Sequence, residues 1–225
     1  NNVTPIDLKL SEAGNSIYNT ITDLWQLYSN NLIIQYTIYI NGKMATFVKD
    51  DRIKTKNGAE IIICDEPFEK GAQGQIYMAR YENKEVILKW YYKEDILSKY
   101  DIINKTLTTV QSSNIPNLLL PITLTEMIGK QFGYIMEMAP EGMYPFSQIL
   151  YSKGKEFNFK TKKTRFDAAT NIASTVAKIH RLNMSFNDIS DNNIFINPSD
   201  GSVRFCDCDS ISLPDNKPLV KGKDI

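Results

Sequence analysis

The residues best suited to chemistry lie late in the chain. FNDISDNNIFIN carries Asp188 and Asn193, five positions apart, ahead of a short β-like run. Asp207 and Asp209 follow in FCDCDS, at the end of the next such run. Asn193 and Asp207 are 14 apart, the length of a small hairpin, which would bring Asp188, Asn193 and Asp207 to one rim. Two carboxylates and an amide oxygen make a hard oxygen site suited to magnesium. A carboxylate beside it can accept a hydroxyl proton. Turn chemistry is the competing reading, because Asp and Asn are favoured in loops for their own backbone hydrogen bonds. It explains any one of these residues more easily than the whole set.

Two upstream features could serve the same chemistry. Lys89 stands in Val86-Ile87-Leu88-Lys89, among apolar strand-type residues, where an uncompensated buried charge is expensive. It is either an ammonium aimed at ligand phosphates or an edge-strand lysine snorkelling to water. Glu69-Lys70-Gly71-Ala72-Gln73-Gly74-Gln75-Ile76 sets two glycines three apart between strand-like segments. Such glycines let backbone amides approach phosphate oxygens with no Cβ in the way, though an ordinary hairpin turn has the same composition. A strand rather than a helix follows, which argues against a Rossmann turn and a Walker P-loop.

Holding these residues in place takes a β-rich half and a helix-led half, divided near residue 140. Residues 32–48 are rich in β-branched and aromatic residues and are interrupted by Asn41-Gly42, a strong hairpin signal. Further strands are expected at 60–64, 75–81 and 85–92, with Asn83 in the last turn, so residues 32–92 predict a small antiparallel sheet. A helix over 93–112 would carry Ile96, Leu97, Tyr100, Ile103 and Leu107 on one stripe. Strands at 118–127 and 132–139 and a short helix at 141–151 follow. A long helix is predicted over 166–182, with Phe166, Ala169, Ile172, Ala173, Val176 and Ile179 as its apolar face. Strands at 193–197 and 202–207 close the pattern, joined by Pro198-Ser199-Asp200-Gly201. Another amphipathic helix is predicted near the start, through Ile17, Ile21, Leu24, Trp25 and Tyr28.

The composition excludes several classes. The 225 residues suffice for one compact domain or two small lobes. With 42% hydrophobic and 23% charged residues the chain is not mainly disordered. Lys plus Arg and Asp plus Glu are both 26, which excludes a strongly basic nucleic-acid binder. Three cysteines exclude a disulfide-rich scaffold and predict reduced thiols in a cytoplasmic protein. His180 is the only histidine, too few ligands for zinc. No apolar run reaches the roughly 18 residues of a membrane span, and no signal peptide is visible. The chain opens on Asn1 rather than Met and is expected to be a piece of a longer protein.

Glycine loop, strand lysine, helix, hinge, long helix, catalytic loop and metal aspartate follow one another in an order that resembles the protein kinase superfamily, from about residue 60 onward. Gly71 and Gly74 match the second and third glycines of that family's loop, and Lys89, 15 positions past Gly74, matches its strand lysine. Met136-Glu137-Met138-Ala139 resembles a gatekeeper and hinge. Asp188 matches the catalytic-loop aspartate, Asn193 its asparagine, and Asp207-Cys208-Asp209 stands where kinases have Asp-Phe-Gly. His180 matches a histidine common near the end of the long helix and is read as structural.

The resemblance implies an α+β, protein-kinase-like bilobal fold. Residues 1–59 would be an extension with a helix and an extra β-hairpin. Residues 60–139 would form an antiparallel N-lobe with one main helix and the hinge. Residues 140–225 would be a partial, mainly helical C-lobe with the catalytic loop and the start of an activation segment. ATP and Mg2+ would lie between the lobes. Gly71, Gly74, Ile76, Lys89, the Glu137 carbonyl and the Ala139 amide would bind nucleotide, and Asn193 and Asp207 the metal. Asp188 and Lys89 would be catalytic, with Asp188 orienting a Ser or Thr hydroxyl.

The chain also departs from the family. Glu69 replaces the first loop glycine, and Phe186 and Asn187 replace His and Arg before Asp188. Ser190 stands where Ser/Thr kinases carry a lysine. No glutamate occurs between Glu94 and Glu126, where the helix partner of Lys89 belongs. Asp101 lies a turn early on that helix, and Thr106 is nearer the expected position. An inactive resting helix, a different partner or a weakened enzyme would each account for this. A pseudokinase that senses nucleotide or binds a partner is therefore the main rival. A small-molecule kinase of the aminoglycoside or choline type shares the Asp-x4-Asn loop. The glycine loop and the short stretch from Lys89 to the hinge count against it. LVKGKDI at 219–225 resembles the end of an activation segment, so the rest of the C-lobe is expected elsewhere, with association through the helical half. No nucleic-acid or membrane partner is expected.

Overall fold

Alternating side chains build the larger sheet. Among the described residues it has seven strands: β1 (Arg52–Lys54), β2 (Glu60–Ile63), β3 (Glu69–Lys70), β4 (Gly74–Tyr81), β5 (Lys84–Tyr91), β6 (Pro121–Leu124) and β7 (Phe132–Met136). They run antiparallel in the order β1-β2-β4-β5-β7-β6, with β3 paired to β4. The computed structural model describes residues 47–70, 73–92, 99–128, 131–154 and 157–214. All belong to one compact unit, Thr37–Ile225.

Strand periodicity sends successive residues to opposite faces. Tyr77, Ala79, Val86, Leu88, Trp90 and Ile135 bury one face, together with Phe47, Ile53, Ile61 and Ile63. Tyr91, Phe132, Tyr134 and Met136 turn to the other and join the larger core. Helix α1 (Tyr100–Ser112) adds Ile103, Leu107 and Val110 to that core. Glu82 and Asn83 both have positive φ (48° and 62°) and form the two-residue loop of the β4–β5 hairpin, the turn expected around Asn83.

Among the described residues, short strands and two helices organise the remainder. Helix α2 (Phe146–Tyr151) follows β8 (Tyr144–Pro145), and helix α3 (Lys162–Arg181) precedes β9 (Ser185–Phe186). The hairpin β10 (Ile194–Ile196) and β11 (Val203–Phe205) pairs through β10 with β8. A 3-10 turn at Cys208–Ser210 leads to β12 (Ile211–Ser212), which pairs with β9.

The expected hairpin at 32–48 and the helix near the start lie outside the described residues, apart from residues 47–48. The predicted helix over 93–112 is described only from residue 99, and α1 begins at Tyr100. Helix α3 starts four residues earlier than its apolar period, because Thr161 and Thr164 form a capping box. Of its predicted apolar face, Ile172, Val176 and Ile179 pack on the core, while Phe166, Ala169 and Ala173 are exposed. Ala168, Thr175 and Ile179 are buried, whereas Phe166 is 72% exposed. Two polar contacts accompany this packing. Asn171 Nδ2 donates to the Gly201 carbonyl at 3.0 Å, and Asn117 Nδ2 donates to Thr175 Oγ1 at 2.9 Å. No helix among the described residues is long and apolar enough to cross a membrane.

Candidate functional site

Lys89 sits on a central strand, not an edge. β5 lies between β4 and β7, and Lys89 pairs with Ile76 on one side and Tyr134 on the other. Snorkelling to water is closed off, and Lys89 is buried at 7% exposure. Its ammonium donates to Asp209 Oδ1 at 3.2 Å and Oδ2 at 3.1 Å, and lies 3.1 Å from Asp207 Oδ2. Asp209 also accepts from the Tyr91 hydroxyl at 2.5 Å and the Tyr134 hydroxyl at 2.9 Å. Tyr91 lies two residues past Lys89 on the same strand face, so sheet periodicity puts all three donors on one side.

The carboxylates come from the β11–β12 connection. Asp207 follows β11 and adopts the left-handed conformation, φ 59° and ψ 47°, which Asp tolerates better than most residues. The β10–β11 hairpin sets Asn193 beside it, with the Cys206 N–H donating to the Asn193 carbonyl at 3.0 Å. Asn193 Nδ2 in turn donates to the Asp188 carbonyl at 2.9 Å and to Asp188 Oδ2 at 3.1 Å. Asp188 is thus tied to Asn193, Asn193 to Cys206, the chain neighbour of Asp207, and Asp207 to Lys89.

One ammonium faces two carboxylates, and their titrations split. Burial pulls the Lys89 ammonium down, but Asp207 and Asp209 more than offset it and raise its pKa above the ordinary lysine value. Burial pushes Asp209 up, yet the Lys89 charge and hydrogen bonds from Tyr91, Lys89 and Tyr134 win, so it is held below the usual carboxylate range. Asp207 is raised, first by burial, and the Asp209 charge adds to the rise against the pull of Lys89. With both carboxylates ionised the cluster has one more negative than positive group, and a cation beside Asp207 would relieve that imbalance. No group of three or more His, Cys, Asp or Glu among the described residues could hold a metal by itself. Magnesium bound through one or two side chains plus ligand phosphates fits this donor set. Burial raises the Cys206 and Cys208 thiols, so neither is an activated nucleophile.

The other sequence candidates are placed as follows. Gly71 lies outside the described residues. Gly74 has a packing reason of its own: a Cβ there would meet the Trp90 carbonyl oxygen at 2.3 Å. Ile76 is half-buried on β4, directly across from Lys89. Glu137 follows β7, where its N–H donates to the Leu120 carbonyl and its Oε2 accepts from the Leu120 N–H, both at 3.1 Å. Ala139 is half-buried two residues on. His180 is exposed in the last turn of α3. Asp101 is exposed in the first turn of α1, and Thr106 is buried on its inner side.

No protein-family model matches this chain, and no curated protein matches it. Solved structures do. Vaccinia related kinase 3 aligns with a TM-score of 0.53 at 11% identity, over 74% of this chain and 52% of that one. Rad53 1–466, solved in complex with AMP-PNP, aligns with a TM-score of 0.53 at 20% identity, over 65% of this chain and 38% of that one. The fold is kinase-like. The chain spans about half the length of the first of these kinases and less of the second.

Within this kinase-like fold, Asp209 is the residue that the sequence singles out beside Asp207 without indicating its role. A lysine with no glutamate on the following helix, and a second acid two positions past Asp207, were the available signals. Asn187 also has a visible task. Its side-chain amide donates to the Ser210 carbonyl at 2.8 Å and to Ser212 Oγ at 2.5 Å, tying the loop before Asp188 to β12 with neutral bonds.

Proposed function

We propose that this chain is the nucleotide-binding part of a kinase-type phosphotransferase that moves the γ-phosphate of ATP to a Ser or Thr hydroxyl. Lys89 carries the reading: a buried ammonium on a central strand, held at 3.1 Å from Asp207 beside Asp188 and Asn193. The nucleotide lies between the sheet half and the helical half, its adenine on the Glu137 carbonyl and the Ala139 amide. Lys89 holds the α- and β-phosphates. Asn193 and Asp207 would hold magnesium, which supplies charge neutralisation on the phosphates when bound. Asp188 orients the acceptor hydroxyl and takes its proton. Catalysis of this kind is mostly positioning and charge stabilisation. A fold shared with a kinase solved with AMP-PNP supports the reading.

Calorimetry with Mg·ATP on the full-length protein tests it. Binding is expected for the wild type, with large losses in Lys89→Ala and Asp207→Asn. Asp188→Asn keeps its shape and loses its basicity, so affinity should hold while phosphate transfer stops. Absence of any wild-type binding overturns the proposal. A second reading, a nucleotide sensor without transfer, is favoured by Asn187 standing where the family has arginine and by its neutral bonds to β12. Magnesium-dependent binding with no turnover on protein or metabolite acceptors would select it.

A further inference from the structure

We propose that Asp209 is the positioning residue for Lys89, so that the lysine is aimed from the sheet and the Cys208–Ser210 turn rather than from helix α1. The inference rests on the phosphotransferase reading above and concerns how its lysine is held. The two acids on Lys89 are not equivalent. Asp209 is 5% exposed, and each of its oxygens takes one bond from Lys89 and one from a tyrosine hydroxyl. A carboxylate with both oxygens met by charged and hydroxyl donors is a fixed, ionised anchor. Asp207 meets Lys89 through Oδ2, and a quarter of its side chain remains accessible, 25%. It is the member of the pair able to turn toward an incoming cation.

Helix α1 offers no substitute. Its sequence YDIINKTLTTVQS contains one acid, Asp101, and that residue is exposed in the first turn. The positions α1 buries are Ile103, Thr106, Leu107 and Val110. The Asp209 anchor is instead built by register. Tyr134 sits directly across from Lys89 on β7, Tyr91 lies two residues along β5, and the 3-10 turn lays Asp209 over all three. If Asp209 loses its charge, the ammonium's remaining partner is Asp207, and the two groups needed for phosphate and metal then neutralise each other.

The test uses the full chain and two readouts. Calorimetry compares Mg·AMP-PNP with adenosine, which lacks phosphates. Nitrogen-15 NMR of the nucleotide-free protein follows the Lys89 ammonium signal, which stays visible only while the group is held and shielded from exchange. Asp209→Asn should weaken Mg·AMP-PNP by about 10- to 100-fold, the loss expected for hydrogen bonds to charged groups, and leave adenosine unchanged. It should also erase the Lys89 signal, because Asp207, a quarter accessible, pairs with the ammonium without shielding it from exchange. Asp101→Asn should alter neither. If Asp209→Asn folds poorly, Tyr91→Phe and Tyr134→Phe remove one donor each at nearly constant volume and should broaden the signal with smaller affinity losses. The proposal is overturned if Asp209→Asn keeps both signal and affinity, if adenosine weakens equally, or if Asp101→Asn reproduces the effect. A wild type that binds no nucleotide, yet loses the Lys89 signal in Asp209→Asn, would retain the anchor and remove the phosphotransferase reading.

Discussion

A buried ion pair is weak evidence for stability but strong evidence of dependence between its members. Lys89 illustrates this, because removing it strands Asp209 as a buried charge at 5% exposure. Lys89→Ala should therefore lower stability by about 3–5 kcal/mol. Lys89→Met combined with Asp209→Leu should recover part of that loss, since Asp209 is no longer stranded, while Asp207 still loses its counter-charge and two tyrosine hydroxyls their acceptor. Denaturant melts of the single and double variants check this, and additive losses would contradict it. Tyr77 supplies a separate test at alkaline pH. Its hydroxyl accepts from the Phe47 N–H at 3.3 Å and donates to Gln75 Oε1 at 2.5 Å. Burial raises its pKa from 10.0 to about 12. The folded state thus favours the protonated phenol. The associated stability is complete below pH 10.0 and is lost as pH rises through about 12. Melts from pH 9 to about 12 should fall more steeply for the wild type than for Tyr77→Phe.

Elements place these residues by close backbone approach as much as by side-chain packing. Gly74 at the head of β4 stands where a Cβ would lie 2.3 Å from the Trp90 carbonyl, next to Lys89. Backbone cannot give way there as a flexible side chain could. Gly74→Ala should cost about 1–3 kcal/mol, as overpacking does, and should loosen the β4–β5 ladder around Lys89. Hydrogen exchange of the Tyr91 and Trp90 amides reads that loosening directly. Unchanged protection would assign Gly74 to the loop before it rather than to the strand. The same logic makes Gly133 of β7 meaningful, since its Cβ would meet the Lys89 carbonyl at 2.3 Å. Small residues on both flanks of β5 let three backbones converge around the lysine.

At the scale of the whole molecule, the two sheet faces are well covered, but part of the helical side is not. Leu150, Tyr151 and Phe166 are 51%, 75% and 72% exposed. Beside them a groove of about 360 Å3 runs between α2 and α3, lined by Phe146, Ile149, Phe159 and Ile172 among others. None of the residues lining this groove belongs to the Lys89 site. Apolar surface of this kind drives association. Residues 1–225 alone should scatter light as a species heavier than 25.7 kDa, and Leu150→Lys with Phe166→Lys should shift it toward the monomer. A monodisperse monomer for the unmodified chain would contradict this.

What the sequence determined by itself was local and periodic. The β4–β5 hairpin with Asn83 in its turn, the β10–β11 hairpin spanning Asn193 to Asp207, and the inward stripe of α1 all follow from alternation, helical spacing and turn chemistry. These are near-neighbour effects, written in residues close along the chain. The order of chemical groups was legible for the same reason, and it resembles that of kinases. The tertiary structure decided what depends on distant partners. Short strands such as β8, β9 and β12 have too few residues to show a period, and only pairing creates them. The polar residues on the inner side of α3, Asn171 and Thr175, meet Gly201 and Asn117, remote in sequence. Whether Lys89 lay at an edge or at the centre depended on β7, more than 40 positions downstream. Its anchor Asp209 lies 120 residues away. A buried charge must find a counter-charge, and composition can say only that one is required. Which acid answers is fixed when β5, β7 and the turn after β11 are packed together.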